Sequence, residues 1–560
     1  MGLLPMRKFS PHQDHWRDGF VALSIAMIVA FVYWPGVYGF WGRDDFGVLA
    51  FVRLLDTPWP LFVHDHFPVA GWFFRPLGFA SMWMCEELFG TNYQAHAAFD
   101  LALHISVSLA LFCLLRRAGI ARVIAFSCTT LFAIHPATIG TALWWNGRFD
   151  LLSTLFILLA LYAAVVYREH RRTRALAVAL IAAFAALLCK EIGLVAIAAM
   201  SLLWLLWAMS DHVQRPTALR AVLLSWLCAL IYLGWRWLVL GTPSSILSSM
   251  PLHDLIAQGL LSWLHQAPGY LTFWPRLHAA SRIALAAALV GTIVVIATVV
   301  VRDRSRFVLC RRADMIVCGV CLLVLPALLQ VPVAVWNATP LRADVSAIET
   351  AMQSRLYYLG IAGIAMMLGG ALGTFWEEVD KRLRLVIWLP FVFAIVSFAS
   401  VSHVAAHAFA KRSVAISGIA RDAITAVAQL DLPHAGCHVI FFDMEFPAEW
   451  GIYVSADSII KALSPDLDRV KHCWFHSNSP AYFQAAPATS ADAAPYRPFE
   501  VDEKLAPWRT IGGVVIAYLS PPENADPRDF GRMIFLRYRD NRFEDVSADV
   551  VAGHIAVHLQ

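Results

Sequence analysis

Two adjacent aspartates, Asp44 and Asp45, follow directly after a strongly apolar run in the segment "YGFWGRDDFGVLAF" (38–51). A carboxylate is costly beside a membrane and is a functional candidate there by default. A carboxylate can also remove the proton from a hydroxyl nucleophile. The pair is therefore a candidate for acid–base chemistry at a membrane surface.

A second set of polar and aromatic side chains recurs at the same predicted ends of later apolar runs. Its members are Arg75, His135, Trp144, Trp145, Arg148, Asp150, Lys190, Glu191 and Arg355. Arginine and lysine hold a phosphate and stabilise it as a leaving group, and tryptophan stacks on a sugar face. Any one of these residues is as readily explained as a helix cap or an anchor at the headgroups. Together with the aspartates, the set favours group transfer from a lipid phosphate.

The composition indicates that these residues belong to an integral membrane protein. Of the 560 residues, 59% are hydrophobic and only 15% are charged, which excludes an ordinary soluble globular protein. Apolar runs long enough to span a bilayer predict eleven transmembrane helices. They lie near 20–40, 96–115, 121–140, 150–167, 175–190, 191–209, 219–240, 282–301, 314–332, 354–374 and 385–402. Lys190 and Glu191 divide the long run from 175 to 209 into two helices.

Arginine and lysine fall on alternate ends of these runs, and the positive-inside rule assigns that side to the cytoplasm. The residues are Arg7, Lys8, Arg17, Arg116, Arg117, Arg122, Arg168, Arg171, Arg172, Arg174, Arg302, Arg304, Arg306, Arg311, Arg312, Lys381, Arg382 and Arg384. The N-terminus is then cytoplasmic, and residues 403–560 lie outside. The acidic pair opens an external loop (41–95), in which we expect two amphipathic helices on the membrane surface.

The C-terminal part is more polar and predicts a small α/β domain. Strand-like runs are "CHVIFFDM", "VKHCWFHS", "GGVVIAYL" and "MIFLRYR", and 479–498 has the composition of a loop. Cys437 and Cys473 form a disulfide if this domain occupies an oxidising compartment, and the alternative is a pair of buried thiols. The fold class is thus an α-helical polytopic membrane protein, with a catalytic membrane domain at 1–402 and an extracytoplasmic α/β domain at 403–560.

The order of several motifs resembles the GT-C superfamily of polytopic glycosyltransferases, in particular the protein O-mannosyltransferases and the tetratricopeptide-carrying transmembrane mannosyltransferases. The matching strings are Asp44-Asp45, "FRPL" (74–77), "HP" (135–136), "WWNGRFDLLSTLFILLAL" (144–161), "CKEIG" (189–193) and "SRLYYLG" (354–360). The chain departs from the family pattern at Gly140, where a glutamate is common. It keeps a second-helix pattern only in part, as Asp100 and His104 with His96 out of register, and no tetratricopeptide repeats follow.

The resemblance implies a donor sugar on a polyprenyl monophosphate and an acceptor hydroxyl that attacks the anomeric carbon with inversion. Asp44 is then the general base, and Asp45 orients the acceptor or a cation. The residues expected to bind the donor phosphate are Arg148, Lys190, Arg355 and His135. Those expected around the substrate are Arg75, Trp144, Trp145, Asp150, Glu191 and Tyr357. No metal or other cofactor is expected, because no ligand cluster stands out in the sequence.

The expected partners are the lipid-linked donor, a protein or envelope-glycan acceptor and membrane lipid, without nucleic acid. The Ala- and Arg-rich composition favours a bacterial inner membrane. Two other classes stay open: a transporter or flippase for lipid-linked sugars, and a non-catalytic scaffold. A transporter predicts internal repeats and broken helices at mid-bilayer, and a scaffold has no need of the acidic and basic residues together.

Overall fold

The structure is a computed structural model of the chain. It describes residues 11–42, 44–64, 73–210, 213–241, 311–329, 355–376, 381–432, 438–442, 456–471, 473–477, 533–539 and 542–551. Most of these residues are helical, and the strands belong to one small sheet near the C-terminus.

Fourteen helices come before the sheet in the described part of the chain. They are α1 (Pro11–Tyr33), α2 (Asp45–Arg53), α3 (Pro76–Phe89), α4 (Tyr93–Arg117), α5 (Arg122–Ala133), α6 (Ile139–Leu143), α7 (Arg148–His170), α8 (Thr173–Cys189), α9 (Leu194–Ser210), α10 (Arg215–Leu240), α11 (Arg311–Leu329), α12 (Tyr358–Trp376), α13 (Lys381–Ile416) and α14 (Gly418–Gln429). Short 3-10 helices occupy Trp34–Tyr38, Trp59–Phe62, Pro136–Thr138, Trp145–Gly147, Glu191–Gly193 and Arg355–Tyr357. Four of these six 3-10 helices contain or adjoin a residue of the predicted site.

The helices confirm an integral membrane protein. Among the described residues, 6 helices are long and apolar enough to cross a bilayer, or up to 7 if the bent pair Arg122–Ala133 and Pro136–Leu143 is one span. Ten of the eleven predicted spans coincide with helices in the structure, some of them shorter than a full span. The remaining one, 282–301, lies outside the described residues. The predicted break at Lys190 is confirmed, because α8 ends at Cys189 and a 3-10 turn precedes α9.

Ion pairs join several helices at the end of the bundle where the basic residues were predicted to gather. Asp18 of α1 accepts from Arg116 of α4 at 3.2 Å and from Arg122 of α5 at 2.6 Å. Arg168 of α7 pairs with Asp314 of α11. Arg117 of α4 pairs with Glu169 of α7, next to Arg168, so these arginines share one end of the structure, as the alternating charge pattern requires.

The expectation of two surface helices in the external loop is wrong for the first of them. Every residue of α2 except Arg53 is buried, because α2 lies between α3 and a helix of the C-terminal domain, α15 (Ala456–Leu463). The periodicity of the sequence around α2 does not indicate that α15 packs against its second face. The second helix, α3, does bury one face, with Phe79, Met82 and Cys85 inside.

The C-terminal sheet has four described strands in the order β2–β1–β3–β4. They are β1 (His438–Phe442), β2 (Trp474–Ser477), β3 (Met533–Arg539) and β4 (Arg542–Asp545); β1 runs parallel to β2 and β3, and β4 runs antiparallel to β3. Helices α15, α16 (Leu467–Val470) and α17 (Ser547–Val551) accompany them. The small α/β domain is thus confirmed, although β4 was not predicted and "GGVVIAYL" lies outside the described residues.

Three features of the C-terminal prediction stay open. Helix α13 runs without a break across the predicted boundary at 402, so the exact domain division remains a prediction. Cys473 is disulfide-bonded, whereas its predicted partner, Cys437, lies outside the described residues. The loop at 479–498 lies outside them as well.

Candidate functional site

The acidic pair stands at the start of α2. Asp44 occupies the N-cap position, its side chain makes no capping hydrogen bond to the helix, and it is partly exposed. Asp45 is the first helical residue and is only 3% exposed. The positive end of the helix dipole stabilises negative charge at both positions. Of the two aspartates, Asp44 is the more exposed.

Asp45 is held from two sides. One carboxylate oxygen accepts from the backbone N–H of Gly42 and the other from Nδ2 of Asn146, both at 3.2 Å. Burial raises the pKa of the Asp45 carboxyl, the Gly42 N–H opposes that shift, and the neighbouring charge of Asp44 adds to it. Two adjacent carboxylates resist double ionisation, so this environment favours placing the negative charge on the more exposed Asp44.

Asn146 belongs to a buried loop, 144–148, that connects α6 to α7. Trp145 packs edge-on against Trp41 with ring centroids 5.1 Å apart. A Cβ atom at Gly147 would lie 2.4 Å from the carbonyl oxygen of Thr141, so only glycine lets the loop turn this tightly. The sequence "WWNGR" therefore fixes Asn146 beneath the acidic pair.

Trp144, on the other side of the same loop, contacts a basic residue, Arg355. The guanidinium carbon of Arg355 lies 4.3 Å from the centre of the Trp144 ring, which is cation–π geometry. Arg355 opens the 3-10 helix Arg355–Tyr357 and is partly exposed, and Tyr357 is 4% exposed. Both tryptophans are buried, so neither lies in an aromatic belt at the lipid interface.

Two ion pairs surround the break between α8 and α9. Lys190 donates to Asp150 at 2.6 Å, and both side chains are buried. Arg75 donates to Glu191 through Nη2 at 2.8 Å and Nε at 3.1 Å, and this pair is partly exposed. Gly193 allows the break, since a Cβ there would lie 2.4 Å from the backbone nitrogen of Leu187.

The structure gathers three of the predicted basic residues. Arg75 and Arg355 both lie near enough to Lys190 to repel its ammonium group. These three cations lie around two carboxylates, Asp150 and Glu191, and the charge of Arg236 also acts on Glu191. Such a cluster suits a phosphate, because charge-assisted hydrogen bonds to phosphate oxygens are strong.

Arg148 occupies a different place from the cluster. Its side chain is 0% exposed and donates from Nε to Asp100 of α4 at 2.6 Å. Its guanidinium also lies 5.0 Å from the ring centre of Phe99. Its phosphate-binding role remains a prediction; in the structure it joins α7 to α4. Our sequence reasoning missed this pairing, although an isolated carboxylate in an apolar helix signals a buried partner.

His135 lies at the start of a 3-10 helix and is 5% exposed. Its Nδ1 accepts from the backbone N–H of Ala137 at 3.2 Å, and its ring packs edge-on against Phe398. The Tyr33 hydroxyl donates to the His135 carbonyl and lies 2.8 Å from the Thr138 hydroxyl. A role at the donor phosphate remains a prediction for this residue.

The two histidines of the partly kept second-helix pattern, His96 and His104, both make hydrogen-bond contacts within the protein. His104 bridges two helices, with Nδ1 at 2.7 Å from the Tyr358 hydroxyl and Nε2 at 2.7 Å from the Ala133 carbonyl oxygen. Nε2 of His96 lies 2.8 Å from the carbonyl oxygen of Gly90. Within the described residues, no three His, Cys, Asp or Glu side chains gather as metal ligands do. The expectation of a metal-independent site stays a prediction.

No protein-family profile matches the sequence, and no curated protein is significantly similar to it. A comparison with solved structures finds partial similarity to oligosaccharyltransferase from Archaeoglobus fulgidus, in complex with Zn and sulfate, at 12% identity and TM-score 0.40. The alignment covers 80% of this chain and 62% of that one, so this chain spans less than two thirds of that protein.

Two structures of ArnT from Cupriavidus metallidurans are also similar. The apo form aligns at 14% identity and TM-score 0.40, covering 96% of this chain and 95% of that one. The form bound to undecaprenyl phosphate aligns at 14% identity and TM-score 0.41, covering 95% and 94%. Similarity at this level identifies neither a donor nor an acceptor.

Proposed function

We propose that the protein is a membrane glycosyltransferase that moves a sugar from a polyprenyl-phosphate donor to an acceptor hydroxyl on the extracytoplasmic face. One observation carries the proposal. The loop 144–148 binds Asp45 through Asn146 and stacks Arg355 on Trp144, so it joins the acidic pair to the basic cluster. A general base and a phosphate-binding set on opposite sides of one rigid loop are what glycosyl transfer from a lipid phosphate requires.

In the proposed reaction, Asp44 accepts the proton of the acceptor hydroxyl as its oxygen attacks the anomeric carbon. The bond between that carbon and the phosphate oxygen breaks, and the polyprenyl phosphate leaves with the bonding electrons. Arg355, Arg75 and Lys190 stabilise the negative charge of the leaving phosphate. Burial around Asp45 and Trp144 limits access of water, which would otherwise compete as the nucleophile.

The direct experiment gives the purified protein in lipid nanodiscs a panel of radiolabelled polyprenyl-phosphate sugars together with cell-envelope extract. We expect label to move from one donor into a protein or glycan fraction. If no fraction is labelled while proteoliposomes carry the intact lipid-linked sugar across the bilayer, the protein is a transporter and the proposal fails.

The proposed orientation places the N-terminus in the cytoplasm of a bacterial inner membrane and the C-terminal domain outside. Reporter fusions after Arg172 and Lys381 are expected to report the cytoplasm, and fusions after Gly241 and Leu432 the external side. A cytoplasmic signal at Leu432 would put the C-terminal domain on the wrong side for this reaction.

A further inference from the structure

Helix α2 ends in a side chain that contacts the C-terminal domain. Nη1 of Arg53 donates to the carbonyl oxygens of Lys461 at 3.0 Å, Ala462 at 2.9 Å and Ser464 at 2.9 Å. These carbonyls lie in the last turn of α15 and just after it, where a helix leaves carbonyl oxygens without intrahelical partners. The negative end of the α15 dipole favours a cation at this point.

The same guanidinium also contacts α3. Its Nε donates to Glu86 at 3.1 Å, and the Arg53 and Glu86 side chains are 9% and 14% exposed. Burial lowers the pKa of Arg53 and raises that of Glu86, and each partner opposes the other's shift. Arg53 therefore joins three elements at one buried point: α2, α3 and α15.

Helix α15 is itself fixed to the sheet. Within it, Lys461 and Asp457 form a buried ion pair at 3.0 Å. Asp457 accepts from the backbone N–H of Phe475 in β2 at 3.3 Å. Contacts thus run from the sheet through α15 and Arg53 to α2, whose other end carries Asp44 and Asp45.

We propose that the C-terminal α/β domain positions the acidic pair, and that Arg53 is the positioning residue through which it does so. This inference rests on the proposed function for its effect on the rate, but the contacts that carry it are independent of any activity. Helix α2 has nine residues, eight of them buried, and we treat this short helix as a rigid unit. A shift at Arg53 is passed to Asp44, and a displacement of about 1 Å at a reacting group costs about a hundredfold in rate.

The test compares Arg53→Met with a matched control, Arg469→Met. Arg469 also donates to carbonyl oxygens at a helix end, those of Ala428 and Leu430, but it lies within the C-terminal domain and outside the contacts to α2. We expect Arg53→Met to lower kcat about ten- to hundredfold with little change in the donor KM. Arg469→Met is expected to keep the parent kcat.

A second readout follows α2 without any activity. Hydrogen exchange of the backbone amides of α2 is expected to rise about tenfold or more in Arg53→Met, because a charge-assisted contact has been lost. Exchange in α4 is expected to stay at the parent rate, which shows that the bundle is folded. Should Arg53→Met fail to fold, Arg53→Lys, which keeps the charge but loses the planar fork that contacts the α15 carbonyls, gives the same comparison.

Exchange in α2 that matches the Arg469→Met control, together with an unchanged kcat, would overturn the positioning role. Faster exchange in a protein that transfers no sugar would leave the contact between α2 and the C-terminal domain established and would contradict the proposed function alone.

Discussion

Two arginines that the sequence places in one expected phosphate-binding set have opposite surroundings. Arg148 is fully enclosed and paired with Asp100 between two helices. Arg355 is partly exposed, lies on Trp144 and repels Lys190 across the cluster. The comparison separates Arg148, which joins two helices of the bundle, from Arg355, whose exposure suits the proposed role at the donor phosphate.

Removing the enclosed arginine is expected to have the largest effect, and to act on stability. Arg148→Leu leaves the Asp100 carboxylate buried without its cation, which costs about 3–5 kcal/mol of folding free energy. We expect a lower melting temperature and lower abundance in the membrane. The double variant Arg148→Leu with Asp100→Leu removes both charges and is expected to recover most of the loss. A stable Arg148→Leu protein with weaker donor binding would show instead that Arg148 contacts the phosphate.

Removing the exposed arginine is expected to act on the reaction. Arg355→Ala deletes a charge-assisted contact worth about 1.5–3 kcal/mol, which corresponds at the upper end to about a hundredfold loss of transfer. The melting temperature is expected to stay near the parent value. Arg355→Lys keeps the charge but loses the planar guanidinium fork. Its transfer rate is expected to lie between those of Arg355→Ala and the parent. Equal rates for Arg355→Ala and the parent at subsaturating donor would exclude a phosphate role.

The smallest predicted effect is a gain in donor binding, whereas the two preceding variants are expected to lose stability or activity. Glu191→Gln removes one of the two carboxylates that offset the basic cluster, so the net charge of the cluster becomes more positive by one. A partly exposed ion pair contributes about 0.2–1 kcal/mol, and a stronger field at the phosphate is therefore expected to lower the donor KM by up to about fivefold. A raised donor KM would indicate that Glu191 binds the substrate directly.

Much of the fold follows from local sequence. Ten of the eleven apolar runs, the break at Lys190 and Glu191, and strands β1, β2 and β3 depend on composition and period within one segment, and these are present in the structure. Residue 43 and the ranges 242–310 and 478–532 lie outside the described residues.

The parts that were missed depend on contacts between distant segments. Burial of α2 comes from α15, about four hundred residues further along the chain. Arg148 finds Asp100 across 48 residues, and Arg355 reaches Trp144 across an even longer separation. Hydrophobic periodicity indicates which face of a helix is buried, but it does not indicate which distant segment packs against that face. The candidate residues were therefore predictable as a set, whereas their division into enclosed and exposed members was not.

The most direct test of the account is the rate of sugar transfer by Asp44→Asn. Asparagine keeps the size of aspartate and caps a helix equally well, so membrane insertion and folding are expected to be unchanged. A general base contributes about 10²–10⁴-fold to the rate, and we expect transfer to fall by that factor. Asp45→Asn, which retains an acceptor oxygen for Asn146 or Gly42, is expected to lose less. A folded Asp44→Asn protein that transfers sugar at the parent rate would contradict the assignment of Asp44 as the base, and with it the central claim.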